Sequence, residues 1–211
     1  MSDRGMPRLL LLDHYDSFVL NLARYLRLAG ATTEVVRADA VSADDVFAEM
    51  VDGVWDGVVL SPGPGRPTDV GVAVELIRRM ERRASAVPML GVCLGHQAIG
   101  EALGGEVVRV GPRHAMTSRV CHDGTGVFEG LPADVEVGRY HSLAVRRFGL
   151  PECLRVTAVS DDDDVVMGVS HRTLPIHGVQ FHPESVLTPD GQTMASRFVA
   201  MCMRTVVAGA M

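Results

Sequence analysis

The chain contains no lysine: all 20 of its Lys-or-Arg positions are arginine. That excludes a Schiff-base mechanism and a P-loop, both of which need a primary amine. Aromatic residues make up only 5% of the chain, so the core must be built mostly from Val, Leu, Ala and Met. The four cysteines, Cys93, Cys121, Cys153 and Cys202, form no CxxC pair and no framework spacing. A disulfide-stapled secreted domain is thereby excluded, and a reducing compartment is implied. Long hydrophobic runs are missing too. Leu9–Leu12 stops at Asp13, short of the ~7–15 apolar residues of a signal segment, and nothing approaches the ~20 of a membrane span. Nor is there a basic excess: the formal charge is −6 and the pI near 5.7, which argues against a nucleic-acid partner. These absences lead to the expectation of a cytoplasmic protein whose partners include neither nucleic acid nor membrane.

What is present suits one α/β domain over residues 1–211, with 47% hydrophobic residues available for a core. The unbroken apolar run Leu9–Leu12 reads as a strand buried on both faces. A helix follows, with Asp16 or Ser17 placed to cap it and Phe18, Leu22, Tyr25 and Leu26 at helical spacing. Thr33–Val36, Gly57–Leu60 and Val87–Val92 read as further strands, and Val70–Met80 and Leu94–Leu103 as helices. This alternation predicts a doubly wound, mostly parallel, flavodoxin-like sheet flanked by helices. After Gly105 the texture changes to short strands at Val107–Val110, Ser118–Cys121, Val135–Tyr140, Leu154–Val159 and Val165–Ser170. They are joined by Gly, Pro and Asp turns and read as antiparallel additions in the second half. Asp161–Asp164 reads as a solvated hairpin turn. A closing helix from Gly191 turns Met194, Phe198, Met201 and Cys202 inward.

Chemistry concentrates at two places. In Gly91-Val92-Cys93-Leu94-Gly95 a Cys has Gly two residues away on each side, between an apolar strand and a helix, which is the pattern of a nucleophile elbow. Such a turn presents the sulfur beside the first N–H groups of the helix, where the dipole favours thiolate. The N–H of Leu94, the residue after the nucleophile, can then serve as an oxyanion donor. Gln97, one helical turn past Cys93, projects from the same helix face. A thiolate also needs a base and something to orient the base. Ile176–Phe181 reads as a strand leading to His182-Pro183-Glu184, with Pro183 turning the chain so that Glu184 can reach back to the imidazole.

These residues resemble a known family. Gly91–Gln97 together with Phe181-His182-Pro183-Glu184-Ser185 resembles the class I (triad) glutamine amidotransferases. Within them, Asp13-His14-Tyr15-Asp16-Ser17-Phe18 with Asn21, Ser61–Pro67 and Arg139-Tyr140-His141-Ser142-Leu143 resemble the glutaminase component of anthranilate synthase and aminodeoxychorismate synthase. The resemblance runs from about Leu9 to Phe198.

It implies hydrolysis of L-glutamine to glutamate and ammonia by Cys93, His182 and Glu184. Gly63, Pro64 and Gly65 would form the oxyanion loop together with Leu94. Gln97 and the backbone of Ser142 and Leu143 would hold the glutamine. The expected partner is a larger chorismate-binding synthase subunit receiving the ammonia. Asp13–Ser17, on the same rim, could contact that subunit. No cofactor and no metal are expected, since His171, His177 and His182 suit no usual zinc spacing. His96 reads as structural, holding the elbow helix to the sheet. Anthranilate and aminodeoxychorismate synthesis both stay open, as do service to another class I system and a non-catalytic relative. One departure from the branch pattern stands out: Ala115-Met116 follow Pro112-Arg113-His114 where Gly-Lys is expected.

Overall fold

The computed structural model describes residues 5–208, with side chains described for 5–203; the single-domain expectation for 1–211 runs past these limits at both ends. The elements are β1 (Arg8–Asp13), α1 (Val19–Leu28), β2 (Thr32–Arg37), α2 (Ala43–Val51), β3 (Gly57–Leu60), α3 (Gly71–Arg82), β4 (Met89–Val92) and α4 (Leu94–Ala102). Then come β5 (Val107–Arg109), β6 (Met116–His122), β7 (Asp134–Arg139), β8 (Leu143–Val145), β9 (Leu154–Ser160), β10 (Val166–His171), β11 (Ile176–Val179) and α5 (Gly191–Ala208).

Among the described residues the main sheet has the order β2-β1-β3-β4-β11-β10-β9-β6-β7, with β5 and β8 forming a separate antiparallel pair. The first five strands in that order run parallel, and the remaining four continue the same sheet antiparallel. The expected parallel framework and antiparallel second half are thus both found. No helix among the described residues is long and apolar enough to cross a membrane.

The leucine run explains how the layers form. Leu9 and Leu11 face a core shared with Val19, Leu22 and Leu26 of α1 and with Phe198 and Cys202 of α5. Leu10 and Leu12 face the opposite core, shared with Val46 of α2, Ile77 of α3 and Ile99 of α4. Alternation along one strand therefore feeds two cores, as a sheet covered on both faces requires. Each leucine buried at ~25 cal/mol per Å² contributes roughly 2 kcal/mol.

Three sequence expectations need correction. Neither Asp16 nor Ser17 caps α1, because the helix begins at Val19 with Phe18 at the cap position and no side-chain cap bond. The turn is longer than expected: the backbone N–H of Asp16 donates to Asp13 Oδ1, and Tyr15 takes a φ of 63°. Helix α2 and strand β8 were not foreseen. The signal for α2 was Ser42, whose hydroxyl accepts from the Asp45 N–H at 3.1 Å, followed by buried Val46 and Met50 at helical spacing. Finally, β11 ends at Val179 rather than running on to Phe181, which leaves Gln180 and Phe181 in the loop with His182.

Candidate active site

The carboxyl ends of β1, β3, β4 and β11 meet on one rim, where ligands gather in open α/β sheets. At the end of β4, Cys93 holds φ 51° and ψ −98°, a conformation that costs a non-glycine residue about 1–3 kcal/mol. The two flanking glycines make the turn possible. A Cβ on Gly91 would lie 2.5 Å from the backbone of Gly95, and one on Gly95 would lie 2.5 Å from the Leu60 carbonyl oxygen of β3. The Cys93 N–H donates to the Val179 carbonyl at 2.8 Å, fastening the elbow to β11. Leu94 begins α4, so its N–H has no carbonyl one turn earlier to bond.

Past β11, the loop brings His182 and Glu184 to the same rim, both nearly buried. His182 Nδ1 and Glu184 Oε1 are 2.6 Å apart, a contact that places the proton on Nδ1 and frees Nε2. Burial alone would push His182 down. The charge of neighbouring Cys93 and the hydrogen-bonded Glu184 carboxylate outweigh it and hold the imidazole well above its ordinary range. The Tyr140 ring meets the His182 ring edge-on at 5.0 Å, and its hydroxyl pairs with Ser185 Oγ at 3.1 Å.

Ser61 opens the proline loop and ties it to the first turn by accepting the His14 backbone N–H at 2.9 Å. Gly63 packs against His14 and Leu94, a Cβ there falling 2.3 Å from the His14 carbonyl oxygen.

Two cavities open at Cys93. The smaller, about 210 Å³, is lined by Gly63, Pro64, Gly65, Cys93, Leu94, Gln97, Ser142 and Leu143, with Tyr140 and His141 between them. The larger, about 550 Å³, shares Gly63, Pro64, Cys93 and Tyr140 and adds His182, Glu184, Asp16, Phe18 and Val186. All ten site residues expected from sequence therefore line one or both cavities. Gln97 does not project freely: its Nε2 donates to the Leu143 carbonyl at 3.0 Å and to Gln180 Oε1 at 3.1 Å.

Gln180 was not expected at the site, whereas Asp16 belongs to the Asp13–Ser17 segment expected on this rim. Gln180 is fully buried, and its Nε2 lies 3.6 Å from Cys93 Sγ. A lone amide inside the apolar run Ile176–Phe181 was the available signal, because a buried amide requires partners. Asp16 is raised to about 6, first by burial and then by the charge of Glu184.

The acidic run Asp161–Asp164 is indeed the turn between β9 and β10, but it is not merely solvated. Asp162 and Asp163 receive the guanidinium of Arg139, whose side chain is fully buried, and Arg113 joins them. Burial opposes the Asp163 carboxylate, yet Arg139, Ser160 and Arg113 together hold it well below the usual range. Ala115 takes φ 52°, which accounts for the glycine expected there, and its neighbour Met116 is exposed.

The remaining histidines have other surroundings. His96 is fully buried, packs against Gly178 of β11, and is driven down to about 3 by burial. His177 pairs with Ser170 Oγ at 2.8 Å. Glu81, Cys153 and His171 bring possible donor atoms within 4.8 Å of one another. His171 Nδ1, however, accepts the N–H groups of Thr173 and Leu174. The neutral ring then carries its proton on Nε2 and keeps no lone pair for an ion.

The family described as glutamine amidotransferase class-I matches residues 10–202. An anthranilate synthase component 2 of Pseudomonas aeruginosa is 47% identical over 196 residues, covering 90% of this chain and 94% of that protein. An aminodeoxychorismate synthase component 2 of Serratia marcescens is 45% identical over 195 residues, covering 90% and 98%. Among solved structures, a Thermoplasma acidophilum protein assigned to GMP synthase superposes with a TM-score of 0.84 at 25% identity, covering 99% of this chain and all of that one.

Proposed function

The chain belongs to the class-I glutamine amidotransferases, and from that premise we propose that it is, as one amidotransferase domain, the glutaminase component of a chorismate-aminating synthase. The observation carrying the chemistry is the convergence at one rim of a strained Cys93 elbow and a buried His182–Glu184 pair. The 45–47% identity to component-2 proteins of both chorismate pathways carries the choice of partner.

Glutamine enters the smaller cavity, its amino-acid end toward Gln97 and the Ser142–Leu143 backbone. Cys93 attacks the carboxamide carbon. The tetrahedral oxyanion is held by the Leu94 N–H and by the backbone of the Gly63-Pro64-Gly65 loop, donors set in place before reaction. His182, charged through its contacts with Cys93 and Glu184, passes a proton to the departing nitrogen. The C–N bond breaks, and ammonia leaves a γ-glutamyl thioester. His182 then takes a proton from water as that water attacks, and the C–S bond breaks to release glutamate and restore the thiolate beside the charged imidazole. Glu184 fixes the tautomer throughout.

Ammonia leaves by the larger cavity. The apolar side chains Tyr15, Phe18 and Val186 at its mouth are exposed and suit coverage by the synthase subunit, which would receive ammonia without its escape to solvent.

The test is ammonia release from glutamine, measured with chorismate and with each candidate synthase subunit in turn. Stimulation by one partner, with anthranilate or aminodeoxychorismate formed, identifies the pathway. Cys93→Ala should abolish the glutamine reaction, a loss of at least about 10⁴-fold, while free ammonium salts still support product formation by the complex. Full activity without any partner, or none with either, refutes the chorismate assignment.

A further inference from the structure

The geometry points to Gln180 as a further catalytic residue, a neutral N–H donor to the Cys93 sulfur whose aim is set by the glutamine-holding segment. This deepens the proposed function and rests on Cys93 being its nucleophile.

The orientation of a side-chain amide is normally an assignment, since nitrogen and oxygen look alike. Here one backbone carbonyl settles it. The Leu143 carbonyl oxygen can only accept, so the Gln97 terminal atom 3.0 Å away must be its NH₂. That same NH₂ lies 3.1 Å from a terminal atom of Gln180, which must then be the oxygen. The other terminal atom of Gln180, 3.6 Å from Cys93 Sγ, is therefore the NH₂. Rotating the Gln97 amide would set oxygen against oxygen at Leu143, and rotating the Gln180 amide would set N–H against N–H at the Gln97 contact.

The Leu143 carbonyl is itself pinned from a second side. Arg139 Nε can only donate, and it lies 3.1 Å from His141 Nε2, so the neutral ring carries its proton on Nδ1. His141 Nδ1 then donates to the Leu143 carbonyl at 2.9 Å. Arg139 is in turn locked by Asp162 and Asp163. An unbroken run of polar contacts thus leads from the exposed acidic turn, through buried Arg139 and the segment that lines the glutamine cavity, to the sulfur.

A donor with no charge and no acidic proton is suited to this position. It favours the thiolate over the thiol, since hydrogen bonds to an ionised acceptor are the stronger ones. Unlike His182, it cannot give its proton away when the sulfur is deprotonated. It also directs the sulfur, which helps hold the nucleophile in line with the carboxamide carbon. Movement of Leu143 as glutamine binds would be transmitted through Gln97 to that donor.

The test uses the purified chain and needs neither glutamine turnover nor a synthase, so its outcome is independent of the partner assignment. Cys93 is alkylated with iodoacetamide at pH 7, and adduct formation is followed by mass spectrometry. Gln180→Met, which keeps the side-chain length and removes the donor, should slow alkylation of Cys93 by about tenfold. Thiolate absorbance near 240 nm should fall in parallel. A rate within about twofold of the parent protein overturns the proposal.

If the variant fails to fold, the parent protein still decides the matter. The chain has three glutamines, at 97, 180 and 192, so ¹⁵N-glutamine labelling yields three side-chain amide pairs. Alkylation of Cys93 should move one proton of the Gln180 pair; an unmoved pair overturns the proposal.

Discussion

The two cavities that meet at Cys93 differ in how they are built. The smaller is walled by backbone and by side chains already committed to one another: Gln97 to Gln180 and Leu143, and His141 to Arg139 and Leu143. The larger has paired groups at its base, His182 with Glu184 and Tyr140 with Ser185, but its rim carries the exposed side chains of Phe18 and Val186, which have no polar group to commit. A wall of satisfied polar groups has a fixed shape and can reject a ligand that lacks matching groups. An exposed apolar rim rejects nothing and gains by being covered. On the proposed reading, one side takes a small polar substrate and the other is covered by a protein surface.

The sharpest way to break this contrast is to alter the wall the cavities share. Gly63→Ala would place a Cβ 2.3 Å from the His14 carbonyl oxygen, and a backbone atom cannot swing aside. The proline loop should shift and take its oxyanion donor with it. A fall in kcat of about 10²–10³ is expected in steady-state assays, with KM far less affected.

A smaller effect should distinguish the polar cavity from the apolar one. Gln97→Leu leaves Gln180 Oε1 without its donor inside the protein. It should raise the KM for glutamine about tenfold and cost roughly 1–2 kcal/mol of stability. Glutamine titrations and denaturant unfolding would read the two. An unchanged KM would show that the polar wall does not hold the substrate.

The smallest effect concerns Asp16, in the larger cavity, and it has the opposite sign. Its carboxyl rises from 3.8 to about 6 on folding, through burial first and then the charge of Glu184. A raised value contributes stability that is complete below pH 3.8 and lost as pH climbs through 6. Asp16→Asn should therefore be more stable than the parent above pH 6, by about 1–2 kcal/mol once solvent screening is allowed for. The two should converge near pH 3. Thermal melts at pH 4 and pH 8 test the sign, and a variant less stable at pH 8 would refute this account of the site.

How much was legible in advance follows the range of the interactions. Leu9–Leu12 and Gly91–Gly95 signal their structures within a few residues, because burial on two faces and the sterics of a tight turn are local demands. The helix Ala43–Val51 carries a local signal as well, in Ser42 and Asp45. Arg139 is different. Nothing adjacent to it marks a buried guanidinium, and its partners Asp162 and Asp163 lie more than twenty positions away.

By itself, then, the sequence determined the elbow, the His182-Pro183-Glu184 loop, the parallel framework and the family, since each follows from contacts between near neighbours or from a motif of fixed spacing. Only the tertiary structure decided that Leu143, Gln97, Gln180 and Cys93 form one hydrogen-bonded run, and that the exposed acidic turn is tied to the buried Arg139. Those contacts span 46, 83 and 87 positions in the chain. They exist because the main sheet sets β4 beside β11 and the separate β5–β8 pair packs against α4, and a buried amide or guanidinium must then take whichever partners packing leaves within reach.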